Sequence, residues 1–203
     1  MMTKPAPRWR VERPLCAIVS GAANGVGAHF ARNLAARSIE LLLTDQDEVA
    51  LARIRQETGA AALHCDILEE RCVTAIFDRA EDRFGAANLL INAAGTGYVR
   101  TLGVMRLSRE FARRPRRDKA FIVNLAASPD TDDGPFSYAG SELAFNRLAD
   151  GLARAIEEPG LRVLTLDRVD RPEAVADLVD QLLRELAPAN RDPGDESAPP
   201  LAG

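Results

Sequence analysis

One stretch near the start of the chain, Cys16 to Gly27, constrains the possible folds more than any other part of the sequence. It reads Cys-Ala-Ile-Val-Ser-Gly-Ala-Ala-Asn-Gly-Val-Gly, an apolar run that ends in three closely spaced glycines and leads into helix-favouring residues. A strand, a glycine turn and a helix in this order predict that the amide groups at the helix N-terminus face a phosphate. Gly21 would make the tight turn, and Gly25 and Gly27 would let backbone and phosphate approach closely. The alternative is an ordinary loop between a strand and a helix.

Composition limits the class of protein and its partners. The 203 residues are 46% hydrophobic, which is enough for one domain with a single core. The net charge of −4 is scattered along the chain, so we expect no nucleic-acid partner. The three cysteines lack the spacing of metal ligands, which predicts no metal site and favours a reducing compartment. No stretch resembles a signal peptide or a membrane span, so we expect a cytoplasmic protein with no membrane partner.

The two ends of the chain differ from its middle. Residues 1–13 carry four basic side chains and no apolar stretch, and we expect them to form a flexible arm. Residues 187–203 are rich in Pro, Gly, Asp and Ala and have no periodicity, which predicts a disordered tail. Between them, the sequence pattern of residues 14–186 predicts one folded domain in which strands and helices alternate.

A second apolar run, Glu40 to Asp45, ends in a carboxylate. Its length and position predict a buried parallel strand with Asp45 at its C-terminal end. In a doubly wound sheet, a carboxylate at this point can accept both hydroxyls of an adenosine ribose, and it would repel a 2′-phosphate. This pattern favours NAD over NADP as the cofactor. The alternative is that Asp45 only caps a helix that starts near Gln46.

The chain continues with a third predicted strand, Ala61 to Asp66, and a fourth, Asn88 to Ala93, which leads into Asn92-Ala93-Ala94-Gly95. The glycine turn, the two aspartates and this Asn-Ala-Ala-Gly run occur in the same order and spacing as in the short-chain dehydrogenase/reductase family, which the chain resembles. The resemblance implies an α/β fold of the Rossmann type, a doubly wound parallel sheet. We expect about six strands in the order 3-2-1-4-5-6, with helices on both faces.

The resemblance also implies a binding site for a nicotinamide dinucleotide, with NAD preferred because no Lys or Arg lies between Gly21 and Gly27, where NADP users of the family often carry one. Asp66 matches the family's aspartate beside the adenine ring, although it could instead cap the following helix. The Asn92 run matches a segment that lies beside the cofactor's ribose and stabilises the central sheet. The candidate cofactor-binding residues are Ser20, Gly21, Asn24, Gly25, Val26, Gly27, Asp45, Asp66, Ile67, Asn92, Ala93, Ala94 and Gly95.

The catalytic part of the resemblance is incomplete. Members of the family use a serine after the fifth strand, a tyrosine that transfers a proton, and a lysine four residues after the tyrosine. Tyr138 matches the tyrosine, but the position of the lysine is occupied by Glu142, and Ser128 lies one residue beyond the usual serine. A carboxylate one helical turn from a phenol raises the pKa of that phenol, whereas a lysine lowers it.

Two hypotheses therefore stay open. The first is an NAD-linked oxidoreductase acting on a small alcohol or carbonyl compound, and the second is a non-catalytic NAD-binding protein such as a sensor or partner subunit. Segment 96–119 is shorter than the family's counterpart, which holds a long helix, and the sequence shows no seventh strand. We therefore expect the substrate-binding half to be smaller than in other members of the family. The predicted helix Tyr138 to Glu158 has an apolar face, and by resemblance we expect a homo-dimer or tetramer.

Overall fold

The computed structural model describes residues 15–94, 97–114, 119–125, 159–166 and 172–186, together with Arg147, Gly151 and Arg154. Both predicted terminal segments, residues 1–13 and 187–203, lie outside the described residues.

The described chain forms a parallel sheet of six strands in the order β3-β2-β1-β4-β5-β6, which confirms the predicted topology. Every pair of neighbouring strands is parallel, and the ladder between β1 and β2 pairs Ile18 with Leu42. The strand order reverses direction at β1, so the carboxyl ends of β1 and β4 border the crevice in which ligands of such sheets bind. The strands are β1 (Cys16–Ser20), β2 (Glu40–Asp45), β3 (Ala61–His64), β4 (Leu89–Asn92), β5 (Ala120–Leu125) and β6 (Leu161–Leu166).

Helices connect the strands and lie on both faces of the sheet. The segment between β4 and β5, although short, still holds a helix of 17 residues. Arg147, Gly151 and Arg154 are helical and lie within the stretch for which a helix was predicted. The helices with described bounds are α1 (Gly25–Ala36), α2 (Glu48–Thr58), α3 (Glu70–Phe84), α4 (Gly97–Arg113) and α5 (Pro172–Leu186).

Alternate residues of each strand belong to two hydrophobic clusters on opposite faces of the sheet. Ala17 and Val19 of β1 pack in the cluster that includes side chains of α1, α2 and α5, while Cys16 and Ile18 pack in the cluster with α3 and α4. All five residues of β1 are buried. A strand that is covered on both faces has no polar positions facing water, which explains why the strands read as continuous apolar runs.

Two predicted boundaries differ from the structure by two residues, and the fourth strand is one residue shorter at each end than predicted. The third strand was predicted to reach Asp66, but it ends at His64, because the chain then turns, with the Asp66 side chain accepting a hydrogen bond from the Leu68 amide (2.8 Å). The helix predicted from Gln46 begins at Glu48, because the Asp47 side chain accepts from the Ala50 amide (2.9 Å) and caps the helix there.

Candidate functional site

The first glycine of the turn has no room for a side chain. Gly21 follows β1 with φ +70°, and a Cβ atom there would lie 2.5 Å from backbone atoms of Ala93 and Ala94, directly after β4. The Gly21 and Ala22 amides both donate to the Thr44 carbonyl at the end of β2 (3.0 and 3.2 Å). The turn is therefore held between the carboxyl ends of β2 and β4, and only glycine fits at its first position.

Gly27 meets a structural need in addition to the role predicted from the sequence. A Cβ atom at this position would overlap the carbonyl oxygen of Gly21 and would lie 3.2 Å from the Ala93 side chain. Gly27 is buried in the first turn of α1. Its missing side chain thus makes room for the turn and lets the helix pack closely on the strand that precedes it.

Gly25 and Asn24 leave the N-terminus of α1 open. Gly25 has φ +53°, and a Cβ atom there would meet no atom of the described residues within 4 Å, so its requirement for glycine is conformational. The Asn24 backbone is extended, and its side chain makes no capping hydrogen bond. The first turn, which includes Val26, carries no acidic side chain. The first amides of a helix have no partner within the helix, and amides of this kind can bind an anion.

Asp45 is fixed by two backbone amides at the end of β2. Its Oδ2 atom accepts from the Ala23 amide of the glycine turn, and its Oδ1 atom accepts from the Asp47 amide, each at 3.0 Å. The capping alternative is wrong, because α2 begins after Asp47, which is itself the cap. Each carboxylate oxygen can accept a further hydrogen bond. The half-buried Asp45 side chain is therefore fixed by the protein and can still accept hydrogen bonds from a ligand.

An open cleft of about 390 Å³ lies beside the turn and Asp45. Its walls come from the ends of β1 and β2, the residues after β3, and the residues after β4, which is the arrangement expected at the carboxyl edge of the sheet. Among the described residues, the buried Thr44 Oγ1 atom has no hydrogen-bond partner. The residues that line the cleft are Gly21, Thr44, Asp45, Gln46, Cys65, Asp66, Ile67 and Ala94.

Asp66 is part of a tight turn at this cleft and does not cap α3. Its carboxylate accepts from the Leu68 amide, and its carbonyl oxygen accepts from the Glu69 amide (3.0 Å). Helix α3 begins at Glu70, with Glu69 at the cap position. The turn holds Asp66 and Ile67 against the cleft, as the sequence predicted for cofactor-binding residues, and the capping alternative is wrong.

Two of the predicted cofactor-binding side chains lie inside the sheet instead. Ser20 and Asn92 are fully buried, and Ser20 Oγ lies 3.4 Å from Asn92 Oδ1. Asn92 Nδ2 donates to Asn124 Oδ1 of β5 (2.9 Å) and to Ser108 Oγ of α4 (3.3 Å). These side chains connect three strands and a helix. Asn92 therefore stabilises the central sheet, which is one of the two roles implied for it, and its side chain already has hydrogen-bond partners within the protein.

Ser108 and Asn124 were not among the candidates from the sequence. Both are fully buried polar residues, and Asn124 interrupts the apolar run of β5. An asparagine within an otherwise apolar buried strand needs a partner, because an unpaired buried amide is costly. That signal could have indicated the pairing with Asn92, whereas nothing in the local pattern of α4 marks Ser108.

Two cysteines, Cys16 and Cys65, are buried among the apolar side chains of one hydrophobic cluster. Burial raises the pKa of the Cys16 thiol to about 12. Burial is also the largest cause that raises the pKa of Cys65 to about 12, with a contribution from the neighbouring thiol of Cys72. A thiol with such a pKa is almost entirely protonated near neutral pH, so neither Cys16 nor Cys65 acts as a nucleophile.

The catalytic candidates Ser128, Tyr138 and Glu142 lie outside the described residues, and so does Gly95. Across the part of the chain that is described, no group of three or more His, Cys, Asp or Glu side chains could hold a metal ion. Among the described helices, none combines the length and apolar character needed to cross a lipid bilayer.

The parallel sheet, the glycine turn at the N-terminus of α1 and the carboxylate at the end of β2 define a doubly wound fold of the dinucleotide-binding class. Residues 21–128, just over half of the chain, match the family model described as enoyl-(acyl carrier protein) reductase. The chain belongs to the short-chain dehydrogenase/reductase family.

Relatives and solved structures give the same assignment. Galactitol 2-dehydrogenase (L-tagatose-forming) of Cereibacter sphaeroides is 29% identical over 194 residues, which cover 78% of this chain and 76% of that protein. A short-chain dehydrogenase/reductase of Burkholderia phymatum in complex with NAD superposes with a TM-score of 0.67 at 24% identity, covering 88% of this chain and 81% of that one. A metagenomic short-chain oxidoreductase in complex with NADP has a TM-score of 0.67 at 22% identity, covering 84% and 90%.

Proposed function

We propose that the protein is an oxidoreductase that binds NAD(H) and acts on a small alcohol or carbonyl compound. The observation that carries the proposal is the open N-terminus of α1, formed by Asn24 and Gly25, next to a cleft with Asp45 on its wall. The amides suit a pyrophosphate, and the carboxylate suits the hydroxyls of a ribose, so two parts of one dinucleotide match two adjacent features.

The described residues also fit the adenosine part of the cofactor. The cleft lies at the carboxyl edge of the sheet beside the end of β1, where ligands of doubly wound sheets bind. Its lining combines the apolar Ile67 and Ala94 with the polar residues Thr44, Asp45, Gln46 and Asp66. Relatives of known structure hold NAD in one case and NADP in another, which supports a nicotinamide dinucleotide here.

The preference for NAD rests on charge. In the proposed binding mode the Asp45 carboxylate would lie beside the 2′-phosphate of NADP, and the two negative charges would repel each other. No lysine or arginine is among the residues that line the cleft. A site with a fixed carboxylate and no cation favours the free hydroxyl of NAD over the phosphate of NADP.

For the reaction itself, the sequence assigns the proton transfer to Tyr138 and the hydrogen bond to the substrate to Ser128. Glu142 stands where the family has a lysine, and this substitution favours a second candidate function, a non-catalytic NAD-binding protein. A negative charge one helical turn from Tyr138 disfavours the tyrosinate, so we expect at most weak dehydrogenase activity from the natural chain.

The substitution Glu142→Lys tests which of the two functions holds. If the rest of the catalytic site is intact, the new ammonium group lowers the pKa of Tyr138, and the rate of NADH formation across a panel of small alcohols should rise by about tenfold or more. Glu158→Lys, which makes the same change of charge at the far end of the predicted helix, should leave the rate unchanged. No gain from Glu142→Lys over this control, with alcohols or with ketones in the reverse direction, would support the non-catalytic function instead.

A further inference from the structure

Gly103 lies on α4, distant in sequence from the glycine turn, yet it packs directly against the proposed cofactor site. A Cβ atom at this position would overlap Cδ1 of Ile67 and would lie 2.7 Å from its Cγ1 and 3.6 Å from its Cβ. The three nearest atoms all belong to Ile67. The space that a side chain at position 103 would need is therefore filled by Ile67.

Ile67 is itself part of the wall of the cleft. It is 7% exposed, belongs to the hydrophobic cluster with Val73 and Leu107, and lines the cleft next to Asp66. Ile67 thus packs between the hydrophobic cluster and the open cleft. Because a closely packed core resists compression, we expect a displaced Ile67 side chain to move toward the cleft.

The backbone at Ile67 is fixed and cannot absorb the displacement. On one side the Cys65 amide donates to the Asp45 carbonyl oxygen (3.0 Å). On the other side the Asp66 carboxylate accepts from the Leu68 amide (2.8 Å), and the Asp66 carbonyl oxygen accepts from the Glu69 amide (3.0 Å). A larger residue at position 103 would thus shift the Ile67 side chain rather than the chain segment that carries it.

From these contacts we infer that Gly103 is a positioning residue for the adenosine end of the site. Because Gly103 has no side chain, Ile67 is not displaced into the cleft, and the cleft stays wide enough for an adenine ring. The inference rests on the proposed function, because it takes the cleft to be the adenosine subsite of a dinucleotide. Gly103 touches no ligand itself, and its effect is transmitted through Ile67 alone.

The experiment measures AMP and NAD binding by calorimetric titration of the full chain and of Gly103→Ala. AMP is the probe because it carries the adenosine end without the nicotinamide. We expect Gly103→Ala to weaken AMP binding by about tenfold or more, since overpacking displaces the wall of the subsite. The matched control is Gly151→Ala, a helical glycine at which a Cβ atom would meet nothing within 4 Å, and it should bind AMP like the natural chain.

The double variant Gly103→Ala/Ile67→Ala separates positioning from general loss of structure. Truncating Ile67 removes Cδ1 and Cγ1 and leaves only the Cβ contact at 3.6 Å, which is an ordinary van der Waals distance. We expect the double variant to recover AMP binding to within about threefold of the Ile67→Ala single variant, because the two changes act through one contact. If Gly103→Ala does not fold, as judged by circular dichroism, the AMP affinity of the double variant relative to that of Ile67→Ala tests the inference by itself.

The outcomes distinguish the inference from the function on which it rests. If the natural chain binds neither AMP nor NAD, the proposed function fails and the inference falls with it. If the natural chain binds both and Gly103→Ala binds AMP equally well, the inference is overturned and the proposed function stands. If the folded double variant binds AMP far more weakly than Ile67→Ala, Gly103 acts by another route and the inference is overturned.

Discussion

The three glycines of the turn serve three different physical needs, although in the sequence they look alike. Gly21 lacks space for a Cβ atom because Ala93 and Ala94 lie against it, and Gly27 lacks space because of the Gly21 carbonyl. Gly25 has space but needs a positive φ. Of these three glycines, only Gly25 could carry a Cβ atom without overlapping a described atom, so a substitution there tests the proposed phosphate site with the least disturbance of the turn.

Gly25→Ala should reduce both stability and cofactor affinity. A residue with a Cβ atom at φ +53° costs about 1–2 kcal/mol of unfolding free energy, and any relaxation of φ moves the amides that face the pyrophosphate. Gly59→Ala is the matched control, because Gly59 has φ +69° and open space but ends α2, away from the cleft. Urea unfolding should show similar losses for both variants, while titration with NAD should show a loss for Gly25→Ala alone. Equal NAD affinity in the two variants would contradict the role given to Gly25.

Individual residues were predictable from the sequence where spacing alone fixes their place. Asp45 ends an apolar run, so its position at the carboxyl edge of the sheet follows from the length of the strand. The burial of Ser20 and Asn92 side chains did not follow, because a strand covered on both faces gives no alternation that shows which way a side chain points. The contact between Gly103 and Ile67 joins two elements distant in sequence, and no local pattern encodes it.

At the scale of elements, Arg37 joins the end of α1 to α5. Its Nε atom donates to Asp180 Oδ1 (2.6 Å), and its other nitrogens donate to the backbone carbonyls of Asn33 (2.9 Å) and Ala176 (3.4 Å). The Arg37 side chain is only 9% exposed, whereas that of Asp180 is 36% exposed. Because a nearly buried guanidinium needs its partners, this contact fixes how α5 packs on the face of the sheet that carries α1.

Asp180→Asn should therefore weaken the fold in a way that depends on pH. The hydrogen bond from Arg37 lowers the pKa of Asp180 below its usual value. A carboxylate whose pKa is lowered on folding contributes stability above its usual pKa and loses that contribution as the pH falls through the folded value. Because the partly exposed carboxylate is screened by solvent, we expect Asp180→Asn to lose only about 0.5–1 kcal/mol of unfolding free energy at pH 7 and to differ less from the natural chain near pH 3.

Urea unfolding at the two pH values measures this effect. Asp177→Asn, which removes an exposed carboxylate from the same helix, is the control and should change the unfolding free energy little at either pH. A loss for Asp180→Asn that is the same at both pH values would show that the ion pair with Arg37 does not contribute in the ionised form.

The order and type of the elements were predictable, and their ends were less so. Alternating apolar and amphipathic segments identify strands and helices, and the rules for parallel connections then restrict the order of the strands. The end of β3 and the start of α2 depend on single hydrogen bonds made by Asp66 and Asp47, and the sequence does not show which residue of an acidic run makes them.

At the scale of the molecule, the described residues include nearly all of those predicted to bind the cofactor. Four of the six strands, the glycine turn and the cleft lie within residues 15–94, where the match to the family's motifs is continuous. In the proposed function, the substrate half would depend on Tyr138, Ser128 and Glu142 and on segments that are shorter than the family's. No pattern in those segments names a substrate, because substrate choice depends on the shape of loops rather than on periodicity.

We propose that the turn and Asp45 bind NAD in preference to NADP. Calorimetric titration of the natural chain with NAD, NADH, NADP and NADPH tests this preference most directly. The natural chain should bind the NAD pair more tightly than the NADP pair by about tenfold or more. Asp45→Asn should narrow that difference, since it removes the charge that repels the 2′-phosphate. Asp47→Asn, which removes a neighbouring charge and keeps a residue able to cap α2, should preserve it. If the natural chain binds none of the four dinucleotides, the glycine turn serves the fold alone and the account is contradicted.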